Sequence, residues 1–103
     1  MAKFVVLYSG GTAPVTPEAA AASMKEWEAW FGKLGKAVVE AGAPFGKSRT
    51  VSPSGTQDGG GGNISNGYSV VEAADLGAAA KLVGACPIVK DGGKVHVFEL
   101  MQM

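Results

Sequence analysis

The chain carries one cysteine, Cys86, and one histidine, His96. A lone cysteine excludes an intrachain disulfide and agrees with a reducing compartment. One cysteine with one histidine is too small a ligand set for zinc, so no metal or other cofactor is expected. Charge of either sign is also scarce. Nine Lys plus Arg balance nine Asp plus Glu, and they are interspersed, so no basic stripe offers itself to nucleic acid or to an anionic membrane. Long apolar runs are absent too. The N-terminal stretch from Phe4 to Tyr8 is far too short for a signal-peptide core or a spanning helix, which leads to the expectation of a soluble cytoplasmic protein. At 103 residues the chain suits one domain, residues 1–103, with a single core.

What is present reads as alternating strands and helices. KFVVLY, residues 3 to 8, is β-branched and aromatic and stops at Ser9-Gly10-Gly11, as a strand does before a turn. Thr16 offers a capping hydroxyl, Pro17 suits the first helical position and Glu18 the positive helix end. Met24, Trp27, Phe31, Leu34 and Val38 recur every three or four residues, predicting one apolar helix face, with the helix ending at Gly42 before Pro44. Trp30 stands beside that stripe and is expected to be half exposed. A second strand is predicted over about 46–52 and a third over about 67–73. The connector between them holds Gly59 to Gly62, but no Lys-Ser/Thr follows, so a flexible link is expected and not a phosphate loop. Asp75 caps a second helix from 76 to about 86, Pro87 blocks its extension, and Asp91-Gly92-Gly93 turns the chain into a last strand over 94–101.

This order is the α+β, ferredoxin-like βαββαβ plan: one four-stranded sheet, order 4-1-3-2, with two helices on one face. Strand parity then assigns faces. Val5, Leu7, Ser69, Val71, Ala73, Val95 and Val97 are expected under the helices. Phe4, Val6, Tyr8, Tyr68, Val70, Glu72, His96, Phe98 and Leu100 are expected on the bare face. That second set is too apolar for water, which predicts a homodimer packed sheet to sheet.

Cys86 and His96 are not expected to act as a pair. Cys86 continues the stripe of Leu76, Ala79 and Val83 and reads as a small buried hydrophobe, whereas His96 falls on the bare face. With the first and third strands taken as parallel and the fourth as antiparallel to them, Tyr8, Glu72 and His96 converge at one end of that face. A phenol, a carboxylate and an imidazole around an inter-sheet cavity would be a candidate catalytic set; the bland alternative is a polar rim around the dimer contact. Lys47 and Arg49 share a parity on the predicted second strand and serve more simply as edge protection than as cavity charges.

KFVVLYSGG, AGAPFG, GYSVVEAADL, ACP and GGKVHVFEL, in that order over nearly the whole chain, resemble the YCII-related proteins, including the DGPF-type members. The resemblance implies the dimeric α/β-barrel superfamily, in which two ferredoxin-like chains enclose a cavity. There are departures. The DGPF motif is half present, as Asp58-Gly59 followed by Gly60-Gly61; His96-Val97-Phe98-Glu99 stands where many relatives have Glu-Val-Arg-Pro; and the first helix has no histidine, so the family's His-Asp pair does not carry over. Fold alone chooses no reaction. Two functions are left: a small enzyme with His96 or Glu72 moving a proton and Tyr8 steadying an oxyanion, or a non-catalytic binding or regulatory module working as a homodimer.

Overall fold

A computed structural model describes residues 1–11, 16–60 and 65–101. Strand β1 (Ala2–Ser9) leads to helix α1 (Pro17–Leu34), a single 3-10 turn and strand β2 (Val38–Pro44). A hairpin of β3 (Arg49–Ser52) and β4 (Gly55–Asp58) follows, then β5 (Gly67–Ala73), helix α2 (Leu76–Val83), the short helix α3 (Pro87–Lys90) and strand β6 (Lys94–Glu99). The main sheet has four strands in the order β2-β5-β1-β6, and each neighbouring pair is antiparallel. The architecture is α+β.

Local chemistry sets the helix ends. Thr16 Oγ1 accepts from the Ala19 N–H at 3.0 Å, and Asp75 Oδ1 accepts from the Ala78 N–H at 2.8 Å, each satisfying one of the orphan donors of a first turn. Helix α1 stops at Leu34, eight residues before Gly42, because Gly35 takes φ +55° and its N–H closes onto Phe31 O. The β-branched pair Val38-Val39 then favours extended chain. The second strand of the sheet is therefore 38–44, and the expected strand over 46–52 is instead the first arm of a separate two-stranded hairpin. That arm takes Arg49 away from the sheet edge into an exposed ion pair with Asp58, 2.9 Å long, a contact of about 0 to 1 kcal/mol. Lys47 lies outside any strand and is exposed. Of the expected glycine connector, Gly59 and Gly60 follow β4, while Gly61 and Gly62 lie outside the described residues. Helix α2 ends at Val83 with Gly84 as its cap, short of the expected end at about 86, and Pro87 stands instead at the first position of a third helix, α3.

The sheet faces correct the parity assigned to the first strand. Phe4, Val6 and Tyr8 are buried, together with Ser69, Val71 and Ala73 of β5, and Val95 and Val97 pack at their margin. Trp30 of α1, Ala79 and Val83 of α2, Cys86 and Ile88 complete this core. On the other side, Val70, Val5 and Phe98 form one cross-strand row, and Tyr68, Leu7 and His96 another. No helix among the described residues covers that side; Phe98 is 54% exposed. The first strand is apolar at both parities, so its pattern carried no register. Choosing the wrong parity moves every side chain of the strand to the opposite face.

Candidate functional site

The expected convergence of Tyr8, Glu72 and His96 does not form. Strands β1 and β5 are antiparallel, not parallel, so Tyr8 lies opposite Gly67 while Glu72 lies opposite Lys3 at the far end. His96 lies opposite Leu7. Glu72 and His96 thus share the bare face but are separated by about 13 Å along the strand direction and by the intervening strand. Tyr8 points to the other side of the sheet, under α1. His96 is exposed, and its Nε2 lies 3.4 Å from Ser9 Oγ. Cys86 and His96 fall in different layers as the sequence indicated. The Cys86 thiol is fully buried, and that burial pushes its pKa up, away from a reactive thiolate.

Tyr8 has a different set of neighbours, supplied by α1 and by an irregularity in β2. Register shifts between Val38 and Glu40 and between Glu40 and Ala43 put a bulge into the edge strand where it pairs with β5. Gly42 makes this bulge accessible: it sits at φ +77°, and a Cβ there would fall 1.8 Å from the carbonyl oxygen of Tyr68, so the backbones approach more closely than any side chain allows. Above the bulge, α1 presents Met24, Trp27, Glu28 and Phe31. Between helix and sheet lies a cavity of about 470 Å³. Its floor is Tyr8 with Gly67 and Ser69, its edge is Ala41 to Pro44, and Ile88 of α3 lies at one side.

The polar wiring of the floor is complete. Tyr8 Oη donates to Ser69 Oγ at 2.7 Å, and Ser69 Oγ donates to Ala41 O at 2.6 Å, tying the central strands to the bulged edge. Ser65 Oγ sits 2.8 Å from the carbonyl oxygens of both Tyr8 and Gly67, and the Asn66 N–H donates to Tyr8 O at 2.7 Å. The end of β1 is thereby fixed to the turn that enters β5. Burial raises the Tyr8 phenol to about 12, outweighing the lowering effect of its bond to Ser69, so it is a neutral hydroxyl at physiological pH and no base.

Aromatic packing shapes the roof. Trp27 meets the Tyr8 ring edge to face at 5.0 Å and leans on Phe31 at 6.0 Å. Behind it Trp30, expected half exposed, is 6% exposed and 5.0 Å from Phe31. Its indole Nε1 is buried with no hydrogen-bond partner among the described residues, while Trp27, expected in the core, is only half-buried. Near the edge strand Tyr68 donates to Glu40, which raises the Tyr68 pKa, and stacks on Phe45 at 5.8 Å. Among the described residues, no group of three acidic, cysteine or histidine side chains could hold a metal ion.

The fold and this site together define a small α+β domain with an apolar helix–sheet pocket. No protein-family model matches the chain, and no curated protein matches it. No helix among the described residues is long and apolar enough to cross a membrane.

Sequence reasoning named Tyr8 but not Trp27, Phe31 or the bulge as its companions. A signal was present in GYSVV: a small residue and a hydroxyl, Gly67 and Ser69, on the inward parity of an otherwise bulky strand. Space and a hydrogen-bond partner on one face are what a buried tyrosine requires.

Proposed function

We propose that the protein is a small-molecule binding module whose site is the pocket under α1, taking a compact organic ligand of largely apolar character. The observation that carries this reading is a cavity of about 470 Å³ walled by Tyr8, Trp27 and Phe31, within the size range of ligand pockets and lined like them by aromatic groups with few polar ones. Binding is favoured over acid–base catalysis because the floor hydroxyls of Tyr8 and Ser69 already serve each other and a backbone carbonyl. Glu72 and His96 stand on the opposite side of the sheet.

The same proposal includes the ferredoxin-like plan and a homodimer. Setting the β3–β4 hairpin aside, the four strands read 4-1-3-2 from β6 inward, which supports that plan and the resemblance to YCII-related proteins. The rows Val70-Val5-Phe98 and Tyr68-Leu7-His96 form a bare apolar face suited to a second copy. His96 then belongs to the contact between copies, not to a catalytic set.

The test is a titration of 1-naphthalenemethanol into the protein, followed by isothermal calorimetry and thermal melting. Saturable binding with a rise in Tm supports the reading, because a ligand of the folded state alone stabilises it. No heat and no shift at millimolar probe would refute it.

A further inference from the structure

We infer that the pocket selects organic cations: an aromatic or aliphatic amine over its neutral isostere, and both over a carboxylate. This inference rests on the binding reading above and concerns only the charge of the occupant. Among the described residues, the lining holds one charged side chain, the carboxylate-bearing Glu28, and no lysine, arginine or histidine. An anion entering here would lose hydration and meet no compensating charge, whereas a cation would meet a carboxylate.

The walls act in the same direction. Trp27 contacts both Tyr8 and Phe31, with ring centroids 5.0 and 6.0 Å away. Aromatic faces carry negative quadrupole charge, and a cation within about 6 Å of a ring centroid is attracted to it. The Tyr8 phenol cannot reverse this preference, because burial holds it un-ionised and its proton is committed to Ser69. A cationic group would therefore sit near Glu28 with its apolar body against Trp27 and Phe31.

Three probes of one shape decide the matter: 1-naphthylmethylamine, 1-naphthalenemethanol and 1-naphthoate, titrated by calorimetry at neutral pH and low salt. The amine is expected to bind roughly five- to tenfold more tightly than the alcohol, and the carboxylate more weakly than either. The amine's advantage shrinks in Glu28→Gln and in high salt, where exposed charges are screened. Equal affinity for all three probes, or a lead for the carboxylate, overturns the charge inference and leaves the pocket reading standing. An advantage that survives both Glu28→Gln and high salt overturns the assignment to Glu28. Absence of binding by any probe overturns the pocket reading and this inference with it.

Discussion

Substituting Gly42 by alanine isolates the feature that creates the pocket edge. At φ +77° an L-residue carries a left-handed penalty of about 1 to 2 kcal/mol. The new methyl would also stand 1.8 Å from Tyr68 O and 3.1 Å from Ser69 Cα. These are backbone atoms of the central strand, so relief requires β2 to move off β5. That movement breaks the Ser69 to Ala41 hydrogen bond, about 1 kcal/mol more. The sum is a loss of about 2 to 3 kcal/mol, which in a domain of this size lowers Tm by about 8 to 24 °C. The control is Gly92→Ala. Gly92 also has positive φ, at +84°, but a Cβ there meets nothing within 4 Å, so its cost is confined to backbone strain. Denaturation followed by circular dichroism gives both values. Equal losses for the two variants would refute the claim that close approach of β2 to β5 holds the bulge, and with it the account of the pocket edge.

Other outcomes follow from the same geometry. Tyr8→Phe costs about 1 kcal/mol, measured by urea unfolding, because it removes one buried hydroxyl bond while Ser69 keeps its bond to Ala41. The Tyr8 pKa is raised on folding, from 10.0 to about 12. Its contribution to stability is therefore fully present below about pH 10 and is lost as pH rises through about 12; the wild type loses more stability over that window than Tyr8→Phe does. Cys86 is fully buried with a raised pKa, so Ellman's reagent reacts at a rate set by opening of the fold and reaches full rate only in denaturant. Asp75→Ala removes the acceptor for the Ala78 N–H and lowers stability by about 1 kcal/mol. Under the proposed pairing of two bare sheet faces, His96→Ala leaves the fold of each copy intact and weakens self-association, read by sedimentation.

The elements were legible where local chemistry decides them. Thr16-Pro17-Glu18 and Asp75 announced their helices, and the bare apolar sheet face and the burial of Cys86 followed from patterning. What was not legible depends on relations between strands. The helix stripe ran on to Val38, so nothing periodic marked the stop at Gly35. The run FVVLY is apolar on both parities, and only the partner Ser69, a hydroxyl inside β5, shows which side Tyr8 takes. Strand direction was recoverable by topology: a helix crossover makes β1 and β2 parallel, and a strand paired antiparallel beside β2 is then antiparallel to β1 as well. Taking β1 and β5 as parallel placed Tyr8 and Glu72 at one end, when the register puts them five residues apart along β1. The pocket itself arises from a bulge, which an edge strand adopts through contacts distant in sequence.

The most direct test of the central claim, that the working site lies under α1 and not on the bare sheet face, is an NMR titration of labelled protein with 1-naphthylmethylamine. The account predicts saturable shifts at Trp27, Phe31, Gly42 and Ser69, with Val5, His96 and Phe98 unmoved. Shifts centred on His96 and Phe98, with Trp27 silent, would contradict it.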